Sequence, residues 1–274
     1  MRPRITISMP CYMRPIRTAA AIESIRRQTV EDFEAFVIGD GCPFYRNTLG
    51  DDLRFRSFNT DANYGGCGYY QTNFAIRHAT GKYFVFQGND DLIDPNHFEN
   101  YLSAIEGTDL DFVWFSQYKE AGQVKQFKLK SWKIGHCALI IRTDFLKQMP
   151  PHVPAYNHDW NLIDNMIKAG AKYKRCDNKP TYHCDPYNWR FTDMDGDADS
   201  RVRKKKHFRE RMLQKLGACL GILIVIGLAP IWIPLSIILL FKSMYYGKGM
   251  DNLYRHRYTD RGRSDLDTYK EKNG

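Results

Sequence analysis

Tyr83-Phe84-Val85-Phe86-Gln87-Gly88-Asn89-Asp90-Asp91 passes from four consecutive apolar residues to a glycine and an acidic cluster. A short unbroken apolar run with turn residues behind it predicts a strand covered on both faces, as in a parallel sheet. The carboxylates then stand at that strand's carboxyl end, where open α/β sheets take their ligands. Aspartates after strands also form turns, so the stretch alone leaves a ligand site and a plain turn both open.

Reading outward, Gln71 to His78 is expected to be helical, with Gly81 as its stop. Before it, Ile5 to Met9 reads as a first strand ended by Pro10. Pro15 suits a first helical position, and Ile16, Ala19, Ile22 and Ile25 form the expected inner stripe of a helix. Ala35-Phe36-Val37-Ile38 is another apolar strand, stopped by Gly39-Asp40-Gly41. Downstream, Asn96 to Ile105 is expected as helix, and Phe112-Val113-Trp114-Phe115 and Ala138 to Ile141 as strands. Asp159 to Ala169 reads as an amphipathic helix with Trp160, Ile163 and Ile167 on one face and Gly170 as its stop. Alternating strands and helices imply an α/β domain with a mostly parallel sheet, and the Asp40 and Asp90 clusters both fall at strand ends.

The chain has 274 residues, 43% hydrophobic and 26% charged, which excludes global disorder. Its formal charge of +9 raises nucleic acid or an anionic membrane as partners. Much of the excess (Arg201, Arg203, Lys204, Lys205, Lys206, Arg209, Arg211, Lys215) adjoins an uncharged stretch of 26 residues, Leu216 to Phe241. Basic residues beside an apolar segment fit lipid headgroups better than DNA, and no nucleic-acid-binding signature is present. A helix of that length exceeds the ~30 Å hydrocarbon core at ~1.5 Å per residue. Pro230 and Pro234 break its middle, and basic residues on both flanks favour a re-entrant hairpin over a simple span. Four regions are therefore expected: a catalytic domain over 1–200, a basic juxtamembrane segment over 201–215, a membrane segment over 216–241 and a basic tail over 242–274. Seven scattered cysteines without a Cys-x-x-Cys pair, and no signal peptide, place the catalytic part in the cytosol at a membrane. The acidic run Asp193 to Asp199 lacks the turn glycine and closing glutamate of a calcium loop and reads as a solvated linker.

No glycine-rich Rossmann fingerprint or P-loop is present, which leaves a divalent cation on carboxylates as the way to hold a diphosphate. Four stretches in order then resemble the inverting glycosyltransferases of family 2, which have the GT-A fold. They are Ser8-Met-Pro10-Cys-Tyr12-Met-Arg14-Pro15, Val37-Ile-Gly-Asp40-Gly41-Cys, Asn73 to Tyr83 leading into Gly88-Asn89-Asp90-Asp91, and Asn157-His158-Asp159-Trp160-Asn-Leu162. The resemblance implies that Pro10 and Tyr12 shape the nucleotide pocket and that Asp40 accepts a hydrogen bond from the base. On the same ground Arg14, Asn73 and Arg77 are assigned to the nucleotide. Asp90 would hold Mn2+ or Mg2+ with Asp91 beside it, and Asp159 would be the general base. The partners implied are a nucleotide-sugar donor (a UDP-sugar favoured), a glycan or lipid-linked acceptor, and membrane lipids.

The chain departs from the family pattern at Met13, at Gly88 in place of the first aspartate of the metal motif, and at His158 in place of an acidic residue. A weakened metal site is the expectation. His183 is either a further metal ligand or a histidine bonded within its loop; His136 either lines the acceptor site or is structural. Trp132, Trp160 and Trp189 are read chiefly as core. A nucleotidyltransferase, or a non-catalytic membrane scaffold that kept the fold, are the competing readings.

Overall fold

The computed structural model describes residues 2–42, 46–118, 123–131, 133–153 and 158–184. The linker, the basic segment, the apolar segment 216–241, the tail and the expected boundary at 200 lie outside the described residues, as do Trp132, Asn157 and Trp189. Among the described residues no helix is long and apolar enough to cross a membrane.

The strands are β1 (Ile5–Cys11), β2 (Phe33–Gly39), β3 (Phe55–Asn59), β4 (Tyr83–Phe86), β5 (Leu92–Ile93), β6 (Phe112–Phe115), β7 (Gln117–Tyr118), β8 (Val124–Lys125), β9 (Leu139–Arg142), β10 (Tyr173–Cys176) and β11 (Tyr182–His183). The helices are α1 (Pro15–Arg26), α2 (Arg46–Leu49), α3 (Tyr69–His78), α4 (His97–Ile105), α5 (Thr143–Leu146) and α6 (His158–Lys168). Seven strands form one sheet in the order β10-β6-β9-β4-β1-β2-β3. Its pairings are parallel except those of β9 with β4 and β6, so β9 alone runs against the rest. This is the mostly parallel α/β sheet expected, with one reversed strand that composition cannot reveal.

Consecutive residues of the central strands feed opposite faces, which is why Tyr83 to Phe86 and Ala35 to Ile38 are apolar without interruption. Ala35 and Val37 of β2 join Ile5, Ile7, Ile22, Phe98 and Leu102 on the face covered by α1 and α4. Phe36 and Ile38 join Phe74, Phe84, Leu139, Ile163 and Met166 on the face covered by α3 and α6. Each such fully buried side chain contributes roughly 1.5–3 kcal/mol relative to exposure.

Two local expectations need correction. Pro10 does not end β1: its carbonyl side stays in register with Ile38 of β2, while pairing with β4 stops at Ser8. A missing N–H is harmless there because β4 offers no partner at that level. The inner stripe of α1 is also rotated. Thr18, Ala21, Ile22 and Ile25 are buried, Ala19 is half-buried, and Ile16 is 52% exposed. Arg14, just before the helix, is left-handed (φ 63°), and this sets the helix entry so that Ile16 points to solvent.

A second sheet, β5-β11-β7-β8, sits beyond the carboxyl ends of β4 and β6, the strands whose polypeptide continues into β5 and β7. Its strands are two residues each, too short to leave a pattern.

Candidate active site

Strands β1, β2 and β4 deliver Tyr12-Met13-Arg14, Asp40-Gly41 and Gly88 to Asp91 to the same rim of the sheet. Because β9 is reversed, the residues before it, His136 to Ala138, reach that rim too.

The turn after β4 is held at almost every position. Gly88 N–H donates to the Tyr182 hydroxyl at 3.0 Å, and that hydroxyl donates to Asp91 Oδ2 at 2.6 Å. Asn89 Nδ2 donates to Thr18 Oγ1 at 3.1 Å, tying the turn to α1. A Cβ at position 88 would lie 2.3 Å from Asp91 Oδ2. The absent first aspartate thus has a steric reason: the Asp91 carboxylate fills the space a side chain at 88 would need. Asp91 is 7% exposed, whereas the Asp90 side chain is 23% exposed and its Oδ2 accepts from Arg14 Nη1 at 2.6 Å.

Asp90 therefore fits a cation shared with a diphosphate: a surface-facing hard oxygen donor beside a cationic side chain, and magnesium-type sites often use one or two carboxylates plus substrate oxygens. Asp91 and His183 fit less well. Asp91 is directed to Tyr182. His183 Nε2 bonds Asp94 Oδ1 at 2.8 Å and its ring stacks on Tyr118 at 4.8 Å. Asp90, Asp91 and His183 do not bring three ligand atoms within 4.8 Å of one another; among the described residues that distinction belongs to His136, His158 and Asp159.

Asp40, at the end of β2, is 4% exposed and clamps the following loop. Tyr64 N–H and Asn63 Nδ2 reach it at 2.6 and 2.9 Å, and Gly65 N–H at 2.8 Å. Burial pushes its carboxyl up, with the Tyr64 and Gly65 amides opposing. Gly41 makes the clamp possible: its φ is 72°, and a Cβ there would meet Asn63 N at 2.7 Å. Both oxygens of Asp40 are thus already engaged by loop donors. Pro10 is half-buried under Gly68, whose added Cβ would touch the proline ring at 2.5 Å, and Tyr12 is half-buried just past β1.

Two residues assigned to the nucleotide lie elsewhere. Asn73 Nδ2 donates to the His152 carbonyl at 2.8 Å and its Oδ1 accepts from His152 N–H at 2.8 Å, so its amide is used in holding that loop. Arg77 is exposed on the last turn of α3. That turn lies toward the start of β4, the rim opposite the site, because a crossover helix runs against its strands.

Asp159 is the first-turn acid of α6. Its Oδ1 pairs with His136 Nδ1, and His158 Nδ1 lies 3.3 Å from the same oxygen. Oδ2 has no partner among the described residues and faces Gly135, where an added Cβ would lie 3.6 Å away. Burial raises the carboxyl, but His136, with His158 and His152, more than reverses this and holds it well below the usual range. The side chain is nevertheless one-third exposed (33%). His152 and His158 are both 7% exposed. Burial, then the neighbouring His136, pushes His158 down and His152 to about 3. The His136 ring sits 4.4 Å from Phe86 of β4, which links this cluster to the strand that carries Asp90. His152 carried no local signal, standing alone in Pro150-Pro151-His152-Val153-Pro154.

A cavity of about 580 Å³ between Arg2, Arg4, Lys82 and Arg142 is at the amino rim. Its arginines are already paired, Arg2 with Asp144, Arg4 with Glu106 and Arg142 with a backbone carbonyl, and it lies on the rim opposite the acidic cluster.

Comparison with known proteins bears on the family and the fold. The chain is 28% identical over 194 residues to the "Uncharacterized glycosyltransferase RP339" of Rickettsia prowazekii, covering 62% of this chain and 61% of the relative. It is 23% identical over 209 residues to a teichoic acid poly(glycerol phosphate) polymerase of Staphylococcus epidermidis, covering 65% and 28%. The chain spans less than two-thirds of the length of these relatives. Among solved structures, S. aureus TarS 1-349 in complex with UDP matches with TM-score 0.57 at 16% identity, over 66% of this chain and 60% of that one. A Pyrobaculum calidifontis mannosyltransferase in complex with GDP-Man and Mn2+ matches with TM-score 0.52 at 15% identity, over 69% and 59%. Both likenesses establish the GT-A fold. The family described as "Glycosyl transferase family 2" matches residues 6–163, more than half of the sequence, and the chain belongs to it.

Proposed function

We propose that this chain transfers a sugar from a nucleotide-sugar donor to an acceptor hydroxyl, with inversion, using Asp159 as the base and Asp90 as the anchor for a donor-bound cation. The observation that carries the reading is the convergence of two partly exposed carboxylates on one rim, Asp90 after β4 and Asp159 beside the start of β9. The neighbouring solved transferases bind UDP, UDP-GlcNAc or GDP-Man, which supports a nucleotide-sugar donor; a UDP-sugar is the first choice.

Asp159 receives the acceptor proton on Oδ2 while Oδ1 stays bonded to His136. A carboxylate held below its usual range is a weak base, but the hydroxyl becomes acidic as its oxygen bonds the anomeric carbon. The proton then moves late, onto a group that is ionised throughout the neutral range. The glycosidic bond to the diphosphate breaks on the opposite face. Mn2+ or Mg2+ at Asp90 would neutralise charge on the departing diphosphate. Arg14, already against Asp90, is placed to turn its guanidinium to the same phosphates. Asp40 serves by fixing the loop 60–65 beside the base pocket that Pro10 and Tyr12 border.

The apolar segment 216–241 would hold the enzyme at a membrane, with a lipid-linked or membrane-proximal glycan as acceptor. Release of nucleoside diphosphate from a panel of UDP- and GDP-sugars, with and without Mn2+, tests the reaction, and the anomeric configuration of the product tests inversion. No release from any donor with any acceptor fraction would favour the scaffold reading. Protease access to the tail in sealed vesicles tests the membrane arrangement.

A further inference from the structure

Three imidazoles from three separate elements surround Asp159: His136 before β9, His152 in the loop clamped by Asn73, and His158 opening α6. Their ring centroids lie 5.3 to 6.1 Å apart. We propose that His136, His152, His158 and Asp159 form a binding site for a transition-metal cation of the Zn2+ type, separate from the donor-side cation at Asp90.

His136, His158 and Asp159 each offer a ligand atom, all within 4.8 Å of one another. The 3.3 Å between His158 Nδ1 and Asp159 Oδ1 matches the roughly 3.3 Å edge of a tetrahedron built on ~2.0 Å bonds. His136 Nδ1 sits closer to the carboxylate than two ligands of one ion can, so its ring must swing outward on binding. His152 supplies the independent observation. It is 93% buried (7% exposed), and among the described residues neither of its ring nitrogens has a hydrogen-bond partner. An imidazole packed only as an aromatic would leave that polarity uncompensated, a cost that buried groups in proteins seldom bear.

The chemistry separates the two sites. Imidazole nitrogens with one carboxylate suit Zn2+, Co2+ or Ni2+, whereas a lone surface carboxylate with phosphate oxygens suits Mg2+ or Mn2+. The Asn73 amide fixes the His152 backbone from both sides, so the site is built on ordered elements. His152 and His158 also line a pocket of about 260 Å³, which gives the cluster a neighbouring solvent-filled space. Occupancy would draw the Asp159 carboxylate onto the ion, so Zn2+ should inhibit where Mn2+ supports turnover. This second statement rests on Asp159 being the base; the binding itself does not.

The test is a Co2+ titration of the full chain without donor, read by visible ligand-field absorption and reversed by Zn2+. The expected result is one tetrahedral-type Co2+ per chain, weakened at least tenfold by His136→Gln and by His152→Phe, and unaffected by Asp90→Asn. Should a histidine variant fail to fold, a rise in Tm of the unmodified chain with Zn2+, retained in Asp90→Asn, supports the site, and no rise counts against it. Absence of the tetrahedral spectrum, or its persistence at full strength in folded His136→Gln and His152→Phe proteins, would overturn the site. Tetrahedral binding without inhibition would uphold the site and count against Asp159 as base.

Discussion

At the amino rim of the large sheet, Glu34 is 3% exposed and consumed by its neighbours. Its Oε1 accepts from Thr6 Oγ1 at 2.7 Å, Thr80 N–H at 2.6 Å and Thr80 Oγ1 at 2.9 Å, and its Oε2 pairs with Arg56 at 3.0 Å. At the carboxyl rim, Asp90 and Asp159 each keep one oxygen without a partner among the described residues. Asp40 stands between these cases: it is at the reactive rim but saturated as Glu34 is. Position at the carboxyl ends therefore does not by itself make a carboxylate chemical. A free oxygen with access to solvent does, because only such a group can bind a cation or take a proton without first losing bonds that hold the fold.

The sharpest way to break this contrast is Asp159→Asn. Turnover should fall on the order of a thousandfold, about 4 kcal/mol, with donor affinity little changed. Wild-type turnover would remove Asp159 from the base role. Glu34→Ala should do the reverse, costing about 3 kcal/mol of stability because the Thr6 hydroxyl and the Thr80 N–H and hydroxyl lose their acceptor, with turnover per folded molecule unchanged; denaturant melts and active-site titration check it. Next comes Asp90→Asn, expected to lower kcat/KM about a hundredfold and abolish stimulation by Mn2+. If the cation response survives, the anchor is elsewhere.

A pH dependence supplies the remaining test. His152, and His97 of α4 with its Nδ1 2.8 Å from Thr181 Oγ1, are both pushed to about 3, chiefly by burial. Their folded values lie below the ordinary value of about 6.5, so between pH 6.5 and 3 the unfolded chain binds protons that the folded one refuses. Stability should fall with pH across that window, by up to about 1.4 kcal/mol per unit for each residue. Asp159 stays ionised there, so loss of activity on acidification should track loss of ellipticity. An acid limb in a protein that remains folded would mean a different titrating group governs the reaction.

The strands legible in the sequence were those buried on both faces. Ala35 to Ile38 and Tyr83 to Phe86 declare themselves by unbroken apolarity, and turn residues mark where they stop. β3, Phe55-Arg-Ser-Phe-Asn, is an edge strand with polar residues on its outer positions and left no such run. The small sheet is built from pairs of residues and depends wholly on tertiary contacts. Among the candidate residues, the positions of Asp90 after a strand and Asp159 at the start of a helix were legible because each follows or opens a regular element. Spacing along a helix does not say which rim its end approaches, and α3 carries Arg77 to the rim opposite Asp90, while the Asn73 amide is engaged by the His152 backbone. The histidines converge only through the reversal of β9, and a strand's direction is invisible in its composition.

That reversal divides editorial control over the rim. In the proposed reaction, segments that follow β1, β2 and β4 would meet the donor, while the stretch leading into β9 would meet the face where the alcohol arrives. Lengthening or exchanging the residues between β8 and β9 should thus redirect acceptor choice while the nucleotide preference stays as it was, so two recognition problems can evolve on separate stretches of one polypeptide.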